Sequence, residues 1–507
     1  MTPESLEHSP ILTNNKIPAE AIRFHPHSIA DSRIRLFRWQ GQLYRGIDSG
    51  RSPFFQQLFQ EGFIQHLVDR QLLIESETTD LTLDGYDLIV RHRTLAFISY
   101  SIEWCAAMVK DAALVLLDFA IELAQRGLSL EDGHLGNILF DGVQPFFVDL
   151  GSIRPLDEYV HYFRWSAYDQ FCQTCFYPLI LMALEKDRTA RLLMIENAGI
   201  SQSDFLRLTQ GVGSSRRMPK APPITRVQLA LRKLLPTQSK KILKQNLQKL
   251  KFFSNPTPVN INSSSINSNQ IKQKSYLKFL ENLRNEVKNI RLPTSLNHVQ
   301  NANYSLESKE NWTEKPAIIR QILRDIQPAS VLDIGCQNGY YAQLAASLAS
   351  QVVAFDKDPS WVSQLYYTAR EQKLSILPLV MDFTQPTPSY GLSSYRYVAA
   401  TKRFQCEMVL ALGLIHHLVF EQHPRFEQII EGLAQFSQRW LVVEFISIND
   451  REMLKYQSQK YYSKFSWYTL ENFIKVLKKH FNILKISPNP DETRQILLCE
   501  KYNFNIG

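Results

Sequence analysis

The spacing of apolar residues changes along this chain and divides it into four stretches. Residues 1–42 show no sustained period and read as a poorly ordered arm. Residues 43–235 alternate short β-like runs with longer helical ones. The longest apolar run there, 112–124, carries Asp118 and Glu122. It therefore predicts a buried helix within 106–126 rather than a membrane span, which needs about 18 or more uncharged apolar residues. Residues 236–305 read as a linker, because 254–270 is rich in Ser, Asn and Pro and poor in large apolar side chains. Within that linker Leu277, Leu280, Leu283 and Val287 recur at helical spacing between charges, predicting a surface helix over 276–290.

From 306 to 507 strand-length apolar runs alternate with helical periods, the pattern of a parallel, doubly wound α/β sheet. The predicted order is a helix over 316–326, a strand over 330–334 and a helix from Tyr340. Strands follow over 351–355, 375–381, 408–412 and 440–443, then a helix over 469–479. An antiparallel pair, 481–487 and 495–499, closes the chain.

Composition narrows the class. The 507 residues are 44% hydrophobic and 21% charged, enough to bury an ordinary core. Residues 1–18 lack a basic start followed by an apolar core, so no secretory signal is expected. The six cysteines are scattered, as in a reducing cytoplasm, and a cytoplasmic location is expected. Cys172 and Cys175 form a C-x-x-C, but structural zinc needs a second ligand pair and none stands out. Both fall in the apolar stretch 171–182, which predicts a helix using them as small hydrophobes, so no metal site is expected.

The net charge of +8 is concentrated: residues 216–251 hold eleven Lys or Arg and no Asp or Glu. Such a run could meet anionic lipid, nucleic acid or an acidic partner. Aromatic residues are not interleaved with the charges, which argues against nucleic acid and for a solvated linker.

The chemistry-bearing pattern begins at Ser330-Val331-Leu332-Asp333-Ile334-Gly335-Cys336-Gln337-Asn338-Gly339-Tyr340. An apolar strand runs into a glycine turn and then a helix, whose first N–H groups are free. Gly335 and Gly339 let a ligand approach the backbone, which a Cβ would obstruct. The second strand ends in Asp356, about 20 residues past the turn, where a ribose needs a carboxylate for its hydroxyls. The third ends in Asp382, placed to accept from an adenine amino group. The fourth leads into Gly413-Leu414-Ile415-His416-His417-Leu418, and the fifth ends in Glu444.

These residues resemble the class I S-adenosylmethionine-dependent methyltransferases over about 190 residues. The resemblance implies a Rossmann-like seven-stranded domain over 306–507 with S-adenosyl-L-methionine as cofactor. Asp333, Gly335, Cys336 and Gly339 would form the first cofactor motif, Asp356 the ribose contact and Asp382 the adenine contact. Gln337 replaces the middle glycine of the usual G-x-G-x-G, and Glu407 stands where an Asp usually precedes the fourth strand. Three further segments resemble bacterial methyltransferases related to the NoeA nodulation proteins. These are Met381-Asp382-Phe383-Thr384-Gln385-Pro386-Thr387-Pro388, the double-His run, and Val443-Glu444-Phe445. A nicotinamide-binding Rossmann unit is the competing interpretation. The acid just before the glycine turn and the terminal strand pair disfavour it. On the acceptor side, His417 suits a general base near neutral pH, and Glu444 lies where α/β sheets place ligands.

A second signal lies in the first half. Glu131-Asp132-Gly133-His134-Leu135-Gly136-Asn137 is followed, after a β-like run, by Asp149-Leu150-Gly151. This resembles the catalytic and metal-binding loops of protein-kinase-like phosphotransferases, and implies an α+β kinase-like domain over 43–235. Asp132 would accept a hydroxyl proton, while Asn137 and Asp149 would hold magnesium against the phosphates of Mg-ATP. No glycine-rich phosphate loop precedes Leu43, Arg45 stands where a lysine is sought, and Glu131 replaces the Arg of His-Arg-Asp. A scaffold that positions the acceptor is thus expected over an active phosphotransferase. The sequence predicts a methyltransferase acting on an oxygen or nitrogen of a small-molecule, glycan or lipid-linked acceptor. The alternatives are a bifunctional enzyme with an active kinase-like half and a non-enzymatic adaptor for anionic surfaces.

Overall fold

The computed structural model describes residues 15–25, 28, 31–156, 160–161, 164–196, 198–209, 265–293, 314–392, 397–456 and 464–502. The basic run 216–251 and the Ser/Asn-rich segment up to residue 264 lie outside the described residues. The chain forms two compact units. One comprises Met1–Met108, Ile138–Gly151 and Ser295–Gly507, the other Val109–Asn137 and Ser152–Thr294. This division cuts across the boundaries read along the chain, because hydrophobic period identifies elements and not which elements share a core.

In the first unit, strands β1 (Ser330–Ile334), β2 (Gln351–Asp356), β3 (Ile376–Val380), β4 (Cys406–Ala411), β5 (Ser437–Ile446), β6 (Phe481–Pro488) and β7 (Arg494–Lys501) make one sheet. Its order is β3-β2-β1-β4-β5-β7-β6. β1 to β5 run parallel, and β7 is antiparallel to both neighbours. Val331, Val352, Ile376, Met408, Val442 and Ile496 join one buried cluster with Ile319 and Leu323 of the helix Lys315–Ile326. Burial on both faces explains why β1 to β4 read as near-continuous apolar runs. β5 is longer than the 440–443 read from sequence, since it pairs with β7 as far as Ile446↔Arg494. Glu444 therefore sits inside the strand, not at its end.

An antiparallel sheet in the same unit orders Arg23–Phe24, Ile34–Trp39, Gln42–Ile47, Leu88–His92 and Ser76–Thr78. It corrects the expectation of a poorly ordered arm over 1–42 for the described part of that stretch. Ile17, Phe37, Tyr44, Leu83 and Ile89 share a buried cluster. Gln40 and Gly41, with φ of 47° and 75°, close a two-residue hairpin that recruits the preceding strand. Burial along Ile34–Trp39 does not alternate strictly, so no period of two registers in the sequence.

Residues 97–104 are bound to the C-terminal sheet. Arg403 forks onto both Glu103 oxygens at 2.5 and 3.1 Å, donates to the Ile98 carbonyl, and lies 4.1 Å over the Tyr100 ring. Tyr100 Oη accepts from the Val398 N–H at 3.0 Å.

The second unit is mainly helical. The helix Ser265–Lys288 was expected on the surface of a linker, but Tyr276, Leu280, Leu283 and Val287 are buried. Arg284 Nη2 donates to Asp118 Oδ2 at 3.0 Å, Tyr276 Oη lies 3.1 Å from Ser129 Oγ, and Gln273 Nε2 donates to the Ala124 carbonyl. A stripe at helical spacing looks the same whether it meets solvent or another helix, so only packing reveals its partner. None of the six cysteines forms a disulfide, and all six are buried. Cys172–Phe176 forms one π-helical turn, and burial pushes the Cys175 thiol up to about 12, as suits a small hydrophobe. Among the described residues no helix is long and apolar enough to cross a membrane.

Candidate functional site

The glycine turn joins β1 to the helix Tyr340–Ala346 through three left-handed residues, Gly335 (φ 74°), Gln337 (φ 44°) and Gly339 (φ 77°). The left-handed backbone explains why glycine is usual at the middle position. Gln337 adopts it at a cost of roughly 1–2 kcal/mol, and its N–H donates to Asp356 Oδ2 at 3.0 Å. The two outer glycines differ in kind. A Cβ on Gly335 would meet only Leu414 Cδ1, at 3.2 Å, whereas one on Gly339 would lie 2.3 Å from Leu365 Cδ1. Gly339 is thus required by helix packing, and Gly335 leaves the open cradle.

The sheet order β3-β2-β1 brings Asp382, Asp356 and Asp333 to adjacent strand ends. Asp356, 8% exposed, also accepts the Asp358 N–H through Oδ1 at 2.9 Å, and burial raises its pKa. Asp382 follows β3 by two residues, and its Oδ1 accepts from Thr384 N and Oγ1, both at 2.9 Å. Asp333 is 3% exposed and its Oδ2 is buried without a partner. Burial, reinforced by the Asp356 charge, pushes it up to about 7. Cys336 is buried beside this pair, and burial raises its thiol well above the usual range.

The raised Asp333 pKa carries a stability cost. Between the ordinary carboxylate range and about 7, the folded state holds a proton that the unfolded chain has lost, so stability falls as pH rises through this window. Asp333→Asn is expected to melt several degrees higher than the parent at pH 8. The gain should shrink to a small remainder near pH 4, where the carboxyl of the unfolded chain also begins to take up its proton. Thermal denaturation across pH 4–8 checks this, and an unchanged gap would show that Asp333 is not the group responsible.

On the acceptor side the two histidines separate. His417 has a side chain 36% exposed and Nδ1 2.9 Å from Glu421 Oε1. His416 is 2% exposed, with Nε2 3.8 Å from Glu452 Oε2. Glu444 Oε2 accepts from Lys315 Nζ at 3.0 Å and from Gly413 N at 2.7 Å. Beyond it, Arg494 forks onto Asp450 at 2.9 and 3.0 Å and reaches Glu452 Oε1 at 3.4 Å. Lys315, Asp450, Glu452 and Arg494 carry no signal in the linear sequence. They come from three separated segments, and no spacing links one segment to another.

The kinase-like residues fall in both units. In the first, Arg45 Nη1 donates to Asp149 Oδ1 at 2.8 Å and Nη2 to the Val148 carbonyl at 3.4 Å. Arg45 Nε donates to His92 Nε2 at 3.3 Å, and His92 Nδ1 lies 2.8 Å from Ser76 Oγ. Burial and the adjacent Arg45 charge hold His92 well below its usual pKa, so it stays neutral. A Cβ on Gly151 would stand 2.7 Å from Arg45 Nη1, so only glycine leaves room for this pair. In the second unit, Asp132 Oδ1 accepts from Gln170 Nε2 at 3.3 Å, and Asn137 Nδ2 is buried without a partner. Among the described residues no group of three or more His, Cys, Asp or Glu is arranged to hold a metal ion.

With this geometry in hand, the chain can be set beside known proteins. No family model matches it. It is similar to nodulation protein NoeA of Rhizobium meliloti (strain 1021), 22% identical over 483 residues, covering 94% of this chain and 95% of that one. The NoeA resemblance seen in three short segments therefore extends over nearly the whole chain. Among solved structures, it is similar to N-methyltransferase NodS from Bradyrhizobium japonicum WM9 in complex with S-adenosyl-L-homocysteine. There the identity is 12%, the coverage 41% of this chain and 99% of that one, and the TM-score 0.29. It is also similar to magnesium protoporphyrin IX methyltransferase from Synechocystis PCC 6803 with bound S-adenosyl-L-homocysteine. The corresponding figures are 16% identity, 37% and 83% coverage, and a TM-score of 0.28.

Proposed function

We propose that the sheet formed by β1 to β7 carries a methyltransferase site that uses S-adenosylmethionine. The observation that carries this is the placement of Asp333, Asp356 and Asp382 at three adjacent strand ends around the glycine turn. In doubly wound sheets, ligands bind outside these carboxyl ends. The residues fit the donor: Gly335 leaves a cradle that a side chain would fill, and Asp333 offers an unused buried acceptor. Asp356 would accept the ribose hydroxyls and Asp382 the adenine amino group, with Cys336 and Gly339 shaping the turn. The donor, when bound, supplies an electrophilic methyl on a sulfonium. The chain's own task is to hold an acceptor oxygen or nitrogen in line with it and to take up the acceptor's proton. His417, solvent-facing and held by Glu421, is the group assigned to that proton. Glu444 is engaged by Lys315 and Gly413 and acts as a positioning residue.

Titration calorimetry of the full chain with S-adenosylmethionine tests the proposal. Binding should be lost in Gly335→Arg, and absence of binding at millimolar donor would overturn it. The acceptor class, a small molecule, glycan or lipid-linked precursor, would emerge from comparing metabolites with and without the protein for a mass shift of one methylene.

For the kinase-like residues, the Arg45–Asp149 pair favours a scaffold over a phosphotransferase. A guanidinium occupies the carboxylate that kinase chemistry gives to magnesium. Mg-ATP is therefore expected to leave the melting temperature unchanged. Asp149→Asn should lower it, because Arg45, with a side chain 5% exposed, then loses its counter-charge. Stabilisation by Mg-ATP that disappears in Asp149→Asn would instead support an active phosphotransferase.

A further inference from the structure

The connection from β3 to β4 passes Asp382 and ends in the helix Ala400–Arg403. Its two arms are pinned to each other and to residues 97–104. Tyr390 and Tyr397 exchange both backbone hydrogen bonds, at 3.1 and 3.0 Å, and their rings stack. The Tyr397 ring also packs on Tyr100, with centres 4.5 Å apart. Ala400 N donates to the Thr387 carbonyl at 2.8 Å, Ala399 N to Ser389 Oγ at 3.1 Å, and Arg403 Nε to the Val398 carbonyl at 2.6 Å.

On this fixed base, apolar side chains face solvent. Leu392 is 93% exposed, Tyr390 47% and Val398 38%. Three of the eight large hydrophobic residues exposed among the described residues thus fall within nine positions. Single exposed apolar residues are ordinary, but a cluster marks a contact surface. The same stretch carries no negative charge. From Phe383 to Cys406 the sequence has Arg396, Lys402 and Arg403 and neither Asp nor Glu. Arg403 is committed to Glu103, whereas Lys402 is exposed.

An anchored loop with an apolar tip, a tyrosine beside it and no acid is the complement of a lipid surface. Apolar side chains gain by entering the acyl boundary, and tyrosine suits the headgroup level, where one end is apolar and the other wet. A cation close by is drawn to anionic headgroups. A protein partner fits less well, because three side chains fall far short of the about 800 Å² per partner that a standard protein interface buries. We propose that this connection docks the chain on an anionic lipid bilayer. Leu392 enters the acyl boundary, Tyr390 and Val398 lie at headgroup level, and Lys402 pairs with headgroup phosphate. The connection begins at Asp382, so docking holds the edge of the candidate donor site close to the bilayer. Of the three acceptor classes, that suits the lipid-linked one.

The test uses the full chain with Leu392→Cys labelled by an environment-sensitive fluorophore. The six native cysteines are buried, so the label goes to position 392. Vesicles of phosphatidylcholine mixed with phosphatidylglycerol should shift the emission to the blue and raise it. Inorganic phosphate should leave it unchanged. In co-sedimentation with the same vesicles, Leu392→Asp should bind about tenfold or more weakly than the parent, and Lys402→Gln about fivefold more weakly. Circular dichroism confirms that both variants fold. Absence of vesicle binding would overturn the proposal. So would binding that leaves the label silent and is equal in Leu392→Asp, since the basic run 216–251 would then carry it. A response to inorganic phosphate alone would identify a free anion as the ligand, against the bilayer. An emission shift that grows with protein concentration without vesicles would identify self-association through the tip, and would equally reject the lipid assignment.

Discussion

Asp356→Ala is expected to weaken S-adenosylhomocysteine binding by about 10²–10⁴-fold. The carboxylate is already tied to the turn by the Gln337 and Asp358 N–H groups, so it is fixed in place before a ribose arrives. Each charge-assisted hydrogen bond from a ribose hydroxyl contributes about 1.5–3 kcal/mol, and alanine removes two of them. It also frees the Gln337 N–H, which helps hold a non-glycine residue at φ 44°. Asp356→Asn should lie between the parent and alanine, since it keeps one acceptor oxygen. Calorimetry on the three proteins measures this, with far-ultraviolet circular dichroism to confirm folding. A loss of only a few-fold in Asp356→Ala would remove Asp356 from the donor site. Burial raises the Asp356 pKa, and the ionised form is the one that accepts two hydroxyls. Donor affinity should therefore weaken on acidification at a higher pH than an ordinary carboxylate would give.

Arg403→Met is expected to destabilise the chain by about 3–5 kcal/mol, the usual effect of removing one partner of a buried ion pair. Glu103 has a side chain 1% exposed and receives both arms of the guanidinium. Without Arg403 it keeps only the Tyr100 N–H, at 2.8 Å. The loss reaches further than one pair, because the guanidinium also lies over Tyr100 and Phe404 and donates to the Ile98 carbonyl. Adding Glu103→Gln should recover a large part of the stability, since no uncompensated charge then remains. Urea unfolding of the two single variants and the double variant gives the coupling directly. Additive effects would show that the two residues do not interact.

The two results would bear on different parts of the first unit. Asp356 sits at the end of β2, whereas Glu103 and Arg403 join residues 97–104 to the segment leading into β4. Loss of donor binding in Arg403→Met at a temperature where the chain stays folded would mean that this anchoring is felt at the donor site.

What the sequence determined by itself is the run of elements in the C-terminal sheet and the residues at its strand ends. Parallel strands buried on both faces are written as continuous apolar runs, and a glycine turn needs glycine where φ is positive. Asp333, Gly335, Gly339, Asp356 and Asp382 were legible because each stands at a fixed offset from such a run. Tertiary structure alone decided which elements share a core. Arg23–Phe24 and Ile34–Trp39 belong to a sheet through a hairpin whose turn includes Gln40, and the helix Ser265–Lys288 is buried because Asp118 and Ser129 meet its stripe. It also decided the state of the polar residues. Asp149 is engaged by Arg45 from 104 positions away, and Glu444 by Lys315 across the sheet. Buried charges are settled by whatever opposite charge the fold brings within about 3 Å, and local spacing carries no record of that distance.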